Sequence, residues 1–588
     1  MANLVSPGYK NSKLINQILR PVDERIIEFK GLNRNTVVEE GEMSDMWNLT
    51  ADNYPVLMPR KPRGELELPD TIKRPVQILR RYDKLGVIAI NTDQSVSFYY
   101  DGTKITEVND LTADSRAVAI NNRMCFFPQK TSIDLTINGV QAGTYRSLDA
   151  SITLTTAVAV TISNEDARIT LPSGHNLKPD DAINIYGTLA YTPSGGSATS
   201  ATIVASCNIE DVVSTNTIVL PRETFIEMTG EGATSISLTS IDSTMPAITR
   251  TMPTLDYIVE WNNRLWGCSS ADNTIYASKL GDPSNWQYYQ GTSMDSYYAE
   301  QGTDEAWTGI AEYSGHIIFF KPNSMTRVYG TAPSNYQITS TKAYGVEQGS
   351  SESILTINDT VYYKSAIGIM AYQGGIPFCI SDKLNKKFKK VFAGTEGTKY
   401  YASCIIEEDQ SYMGRLLVFD IAKGLWHKED DLRFTNACKI GDKIYCAVAG
   451  SSLLCATDVF CEVDLMVQAE TEQATSIINP DEPTENYEDI TWMAQFGPFD
   501  EYIEEHKIYS KLAMRIKANG NASARVYISI NEGPWEQVEY YPHVSTKGDF
   551  IPIIPRRCDR YSIRIEGKGN LEIKSLTRRV REGSFGRL

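Results

Sequence analysis

A short unit returns along this chain from about residue 76 onward. It is a tight turn of Gly, Asn or Asp, usually one polar residue, then a short bulky strand. It reads as Lys84-Leu85-Gly86-Val87-Ile88-Ala89-Ile90, then as Asn122-Arg123-Met124-Cys125-Phe126-Phe127 and Asn263-Arg264-Leu265-Trp266. Gly315-His316-Ile317-Ile318-Phe319-Phe320, Asn358-Asp359-Thr360-Val361-Tyr362-Tyr363, Gly414-Arg415-Leu416-Leu417-Val418-Phe419 and Gly441-Asp442-Lys443-Ile444-Tyr445 continue the series. Taken at Gly86, Asn122, Asn263, Gly315, Asp359, Gly414 and Asp442, the turn steps by 36, 141, 52, 44, 55 and 28 residues. Four of these steps lie near the roughly 40–50 residues of a four-stranded propeller blade. The long step contains an insertion, and removing about 100 residues from it restores the blade period.

Composition marks the insertion. Between about residues 146 and 250 the chain turns rich in Thr, Ser, Ala, Val and Ile. Ser151-Ile152-Thr153-Leu154-Thr155 and Ser235-Ile236-Ser237-Leu238-Thr239 alternate polar and aliphatic residues, the pattern of a half-buried strand. The same alternation marks the end of the chain, in Arg525-Val526-Tyr527-Ile528-Ser529-Ile530 and Tyr561-Ser562-Ile563-Arg564-Ile565. No sustained helical periodicity is found past residue 76. The expected class is therefore all-β: a six- to seven-bladed β-propeller with an inserted β-sandwich and a C-terminal β-sandwich. The expected layout is an N-terminal arm over 1–75, propeller over 76–145 and 251–462, and the inserted domain over 146–250. An acidic linker over 463–490 and a last β domain over 491–588 complete it. The arm, poor in core residues, would gain order by lying across a neighbouring subunit or domain.

Chemistry is sparse. No P-loop, H-E-x-x-H, G-x-S-x-G or dinucleotide fingerprint occurs. The five histidines lie in unsuggestive contexts, and His316 and His427 read as solvated strand ends. Cys404, Cys438, Cys446, Cys455 and Cys461 lack the close pairs and histidines of a zinc site, so they read as buried reduced thiols. No catalytic residue, cofactor or metal site is expected. Asp295, Glu300, Asp304 and Glu305, set among Tyr297, Tyr298 and Trp307, are the one acidic cluster that matters. Paired acids beside aromatics would suit a propeller glycosidase; hydrated acids on a long loop are the plainer reading.

The net charge of −16 excludes a free-standing nucleic-acid binder, which needs a positive surface. Two basic groups stand out, Arg60-Lys61-Pro62-Arg63 and Arg578-Arg579-Val580-Arg581. Arg60, Lys61, Arg63, Arg578, Arg579 and Arg581 are expected at a subunit interface, paired with the acidic remainder of neighbouring copies. No apolar run is long enough to cross a bilayer, so no stable membrane insertion is expected. Nor does the N-terminus read as a signal peptide, so synthesis in a cytoplasm is expected.

Several stretches resemble a known family. Phe29-Lys30-Gly31-Leu32-Asn33, Met46-Trp47-Asn48-Leu49 and Tyr54-Pro55-Val56-Leu57-Met58-Pro59-Arg60 are similar to the opening of tail proteins of tailed bacteriophages. Asn263-Arg264-Leu265-Trp266-Gly267-Cys268, running on to Ile275 and to Gly281-Asp282-Pro283-Ser284-Asn285-Trp286, is the most specific stretch. With Gly309-Ile310-Ala311, Ile318-Phe319-Phe320-Lys321 and Arg327-Val328-Tyr329-Gly330 it resembles the propeller of tail-nozzle, or packaged-DNA stabilisation, proteins of short-tailed phages. The resemblance covers about residues 25–460. It implies a virion tail protein made in a host bacterium, a homo-oligomer of six copies, lying below the portal and head–tail adaptor. It also implies a plug, fibre or tailspike as neighbours and viral DNA passing through the channel without sequence-specific binding. A receptor- or glycan-binding tail-tip module is the alternative, and a glycosidase the second.

Overall fold

The computed structural model describes residues 22–582, apart from 67–68, 164, 173, 386, 409–410, 442, 449–452, 458–488, 501–506 and 545–546. The described chain is all-β and its sheets are antiparallel; the short helix Glu223–Thr229 is its main helical element. None of its helices is long and apolar enough to cross a membrane. It divides into two compact units.

The unit made of Thr71–Ala366 and Gln373–Pro377 contains four meanders and the inserted domain. The first meander is Ile72–Arg81, Lys84–Asn91, Val96–Tyr100 and Thr103–Ile105. The second is Arg116–Ile120, Arg123–Phe127 and Thr131–Thr136, with Gly139–Val140 and Arg146–Ser147 on its last strand. The third is Tyr257–Trp261, Arg264–Ser269, Thr274–Ala277 and Tyr297–Glu300. The fourth is Gly309–Tyr313, His316–Lys321, Ser324–Tyr329 and Gln337–Lys342. The hairpin Leu355–Ile357 with Thr360–Ser365 follows.

The local reason for these hairpins is turn chemistry. Asn262 and Asn263 both take positive φ, 51° and 59°, which is the two-residue type I′ turn that asparagine tolerates. Two expected turn positions fall elsewhere. Gly86 and Gly414 lie inside the strands Lys84–Asn91 and Ser411–Asp420; the hairpin ahead of Gly86 turns at Tyr82 and Asp83, and the side chains of Leu79 beside Gly86 and of Arg433 beside Gly414 take the room a Cβ would fill. Asp442 is outside the described residues.

Neighbouring meanders share their cores. Ile88, Phe98 and Tyr100 of the first pack with Met124, Phe126 and Ile133 of the second. Cys125 and Phe127 of the second meet Leu265 of the third, and Trp266 and Ile275 of the third meet Ile317 and Phe319 of the fourth. The second and third meanders thus bury both faces, which explains why their central strands read as continuous bulky runs.

The inserted domain spans strands from Ala150–Ile152 to Ile248–Arg250. Its strands join into a nine-stranded path around one core, in which Val158–Ile162 pairs with Thr234–Thr239 through Val158 and Ala159 and with Asp166–Thr170 through Val160, Thr161 and Ile162. The long strand Ala182–Thr192 pairs with Thr199–Asn208, Thr234–Thr239 and Ile248–Arg250.

The second unit holds Met1–Asp70, Ile367–Tyr372 and Phe378–Leu588. Its hairpin Gly368–Tyr372 with Phe378–Cys379 precedes a meander of Phe388–Gly394, Lys399–Glu408, Ser411–Asp420 and Leu425–Lys428. The next is Phe434–Ile440, Lys443–Val448 and Leu453–Thr457, and its fourth strand is Gly64–Leu66 from near the start of the chain. Tyr401, Leu416 and Val418 share a core with Phe434, Ile444 and Cys446 of this last meander.

The C-terminal domain is a sandwich of two sheets, and the N-terminal segment belongs to both. Val22–Ile26 pairs with Leu571–Glu582 in the four-stranded sheet, and Met43–Trp47 pairs with Thr491–Phe499 in the five-stranded one. Tyr509 of the first sheet stacks on Tyr561 of the second at 4.2 Å. The segment expected as an arm is therefore woven into its own chain over the described residues 22–66. Gly31, at φ 79°, shows how closely: a Cβ there would lie 2.7 Å from the Trp426 carbonyl oxygen. Apart from Asp489 and Ile490, the acidic linker lies outside the described residues.

Candidate functional site

The basic residues expected at a subunit surface have partners within the chain. Arg60 and Arg63 are fully buried. Arg60 Nε donates to Asn48 Oδ1 at 2.8 Å, and Arg63 Nη2 donates to Glu429 Oε2 at 2.5 Å while Nη1 meets Asp430. Burial disfavours the Arg63 charge, but Asp430 and Glu429 outweigh it and hold the guanidinium above its ordinary range. Lys61 is half-buried. Arg578 is buried with its guanidinium 3.9 Å from the Phe499 ring centre and 3.4 Å from Glu40. Arg579 clasps Asp23 through Nε and Nη2 at 2.5 and 2.6 Å. The backbone of Arg581 pairs with Ile508. The interface assignment is corrected accordingly for Arg60, Arg63 and Arg578: their charge is neutralised or covered where it stands, so none of it faces another subunit.

The acidic residues of the 295–305 stretch differ in setting, and two of them, Asp304 and Glu305, both act on the Lys321 ammonium. Asp295 is buried and accepts hydrogen bonds from the backbone N–H of Gln290, Gly291 and Thr292 at 2.9, 2.7 and 3.1 Å. Burial pushes its carboxyl up, but these bonds and the Thr292 hydroxyl outweigh that and hold it below the ordinary carboxylate range. It is a turn clamp. Glu300 sits exposed on the strand Tyr297–Glu300 opposite Thr274, and Asp304 is exposed. Glu305 accepts from Asn323 Nδ2 at 2.5 Å. The buried ammonium of Lys321 anchors the same loop, donating to the Thr303 carbonyl and hydroxyl and to Asn273 Oδ1, over the Trp307 ring.

The histidines depart from their expected solvation. His316 is buried between Tyr313 and Tyr329, with ring centres at 4.9 and 4.4 Å, and His427 is buried as well. Burial lowers each to about 4, helped by Arg327 at His316 and Lys399 at His427. No group of three His, Cys, Asp or Glu is placed to hold a metal among the described residues.

The resembling stretch Asn263–Trp286 does two structural things. Arg264, buried, donates to the carbonyls of Ser278, Ser293 and Asp295 at 2.7, 2.6 and 2.5 Å, which ties the third meander to the loop behind it. Gly281-Asp282-Pro283-Ser284-Asn285-Trp286 forms the ledge on which the inserted domain rests. Lys178 Nζ lies 2.6 Å from Asp282, Asn285 Nδ2 donates to the Asp180 carbonyl at 2.8 Å, and Trp286 joins the core that includes Leu148 and Met252.

Beside this ledge, between the inserted domain and the third meander, opens a cleft of about 820 Å³. Tyr276, Tyr289 and Tyr298 form one wall. Tyr276 and Tyr298 are cross-strand partners, and Tyr289 meets Tyr298 edge-on with ring centres 6.0 Å apart. Tyr289 and Tyr298 are 48% and 54% exposed, a large open aromatic area for rings held this firmly. The facing side is polar. Ser206 Oγ donates to Asn184 Oδ1 at 2.6 Å, and Asn184 Nδ2 donates to Gln287 Oε1 at 2.7 Å, with Gln290 and Asn208 alongside. The cleft's one carboxylate, Asp272, accepts the Tyr276 hydroxyl at 2.5 Å, and no lysine or arginine lines it. Burial first, then Asp272 for one and Tyr298 for the other, pushes the Tyr276 and Tyr289 phenols up to about 12, so both remain hydroxyl donors. Sequence reasoning named Tyr298 only as a neighbour of the acids and missed Asn184, Tyr276, Gln287 and Tyr289. The Tyr excess, 32 against 17 Phe, and the doublets Tyr288-Tyr289 and Tyr297-Tyr298 were the available signal.

No protein-family model and no curated protein matches this chain. Among solved structures it is similar to the endosialidase of phage phi92, at 10% identity over 76% of this chain and 78% of that one, with a TM-score of 0.27. It is also similar to an exo-β-1,3-galactanase from Phanerochaete chrysosporium, at 11% identity over 55% and 94%, TM-score 0.20. AztD from Citrobacter koseri matches at 7% identity over 64% and 88%, TM-score 0.27. Likeness this low carries no argument about what the chain does.

Proposed function

We propose that the chain is a structural subunit of a bacteriophage tail, a nozzle or hub that surrounds the DNA exit path. Its six meanders, with the two consecutive hairpins as a seventh in chain order, are the blades of a seven-bladed propeller. One observation carries the reading: the residues that resemble the tail-nozzle family serve rigidity. Arg264 and Trp266 bind the third meander, Gly31 fits under Trp426, and Asp282 to Trp286 seat the inserted domain. A wall around pressurised DNA needs such stiffness. The net charge of −16 favours DNA sliding past rather than binding. Because the basic groups are engaged internally, contacts between copies are assigned to other exposed surfaces.

Native mass measurement together with electron microscopy of the purified protein tests this. The expected result is a closed ring, six-fold in the resembling family, and the same ring within the tail of virions that contain the chain. A protein that stays monomeric at all concentrations and is missing from virions would end the proposal.

A further inference from the structure

We infer that the cleft between the inserted domain and the third meander is a binding site for an uncharged oligosaccharide. A sugar ring has an apolar C–H face and a rim of hydroxyls, and the cleft offers the complement of both. Tyr276, Tyr289 and Tyr298 supply aromatic surface, and Asn184, Ser206 and Gln287 supply amide and hydroxyl groups that both donate and accept. A volume of about 820 Å³ accommodates several sugar units and lies within the usual range for ligand sites.

The charge pattern selects the class. An acidic glycan needs a cation, and none lines the cleft; Asp272 would repel a carboxylate or sulfate. A nucleic acid fails for the same reason. A single carboxylate, already holding the Tyr276 hydroxyl, is one short of the pair that glycoside hydrolysis uses, so the site retains its ligand intact. The cleft is also preformed. Arg264 and Asp295 fix the loop that leads into Tyr297 and Tyr298, and the Asp282–Trp286 ledge fixes Gln287 and Tyr289, so little ordering is needed on binding.

The full-length protein is tested on an immobilised panel of neutral and acidic bacterial polysaccharides, with fragments of the retained polymer then titrated by calorimetry. The expected result is retention on a neutral polysaccharide. Tyr289→Ala and Tyr298→Ala each weaken it about tenfold, the scale of losing one packed ring. Because both side chains are exposed, the variants are expected to keep the parent melting temperature. Tyr540→Ala, an exposed tyrosine of the C-terminal domain, leaves binding unchanged. Retention on acidic polymers only, retention on none, or equal binding by the cleft variants overturns the inference. So does a change of oligomeric state in Tyr289→Ala or Tyr298→Ala, which would put a second copy in the cleft. Ring formation by the parent protein is independent of each result.

Discussion

Arg63 and Glu429 are 366 residues apart in the chain and 2.5 Å apart in space, and both are buried. With Asp430 they form a closed ionic group beneath the N-terminal segment. Truncating Arg63 removes the close partner of both buried carboxylates and leaves Asp430 the longer Arg60 contact at 3.7 Å. Arg63→Ala is expected to cost roughly 3–5 kcal/mol, the range for breaking a buried pair. Urea unfolding of the isolated protein measures it, and a loss under about 1 kcal/mol would place the group in water, as for an exposed pair.

Gly31 makes a second case. Its φ of 79° and the 2.7 Å approach to the Trp426 carbonyl leave no space for a side chain. Gly31→Ala is expected to destabilise the protein by about 1–3 kcal/mol through backbone strain and displacement of the neighbouring strand. Exposed Gly102→Ala, with the same sign of φ but nothing within 4 Å, separates the strain from the clash. Equal melting temperatures for the two variants would remove the packing argument.

Acid sensitivity follows from the buried histidines. His316 and His427 stay neutral in the folded protein down to about pH 4, while the unfolded chain takes up their protons below 6.5. The unfolded state therefore binds more protons between those values, and stability falls as pH falls from 6.5 towards 4. Above 6.5 the effect vanishes. For His427 the full window is worth about 3 kcal/mol. His427→Gln should flatten the melting temperature between pH 6.5 and 5, where most carboxylates are still ionised; an unaltered slope would place this imidazole in solvent.

Burial also pushes the Cys125 thiol up to about 12 and raises that of Cys268 well above its ordinary value. Both are free thiols and both are fully buried. Ellman's reagent at pH 8 is expected to react with them only as fast as the protein opens. Cys125→Ser and Cys268→Ser should leave the fast phase of native labelling unchanged and remove amplitude only after unfolding. Loss of fast-phase amplitude would show either thiol to be accessible.

The four-stranded meanders were legible because their evidence is local. The Asn262-Asn263 turn and the Arg264-Leu265-Trp266 strand lie within one hairpin, and the forty-odd residue period is read by recurrence of that unit along the chain. The strands of the inserted and C-terminal regions were legible from alternation, which reports a half-buried face without naming the partner strand. That missing partner is what went unread. Nothing between residues 22 and 66 states that Val22–Ile26 belongs beside Leu571–Glu582. The same blindness hid the fate of Arg60 and Arg63, whose acids lie hundreds of residues away, and of His427, whose burial is decided by packing. The cleft was hidden likewise, since Asn184 and Gln287 meet across 103 residues.

The pairing of Gly64–Leu66 with Leu453–Cys455, and of Val22–Ile26 with Leu571–Glu582, has a consequence for biosynthesis. Strands translated first wait for partners translated last. At about 5–20 residues per second the ribosome needs roughly 20 seconds to two minutes to supply them. Throughout that interval the nascent chain carries open strand edges, the surfaces most prone to wrong association. The cell that makes it would have to shield these edges until release, and a stalled or truncated polypeptide would have no way to cover them.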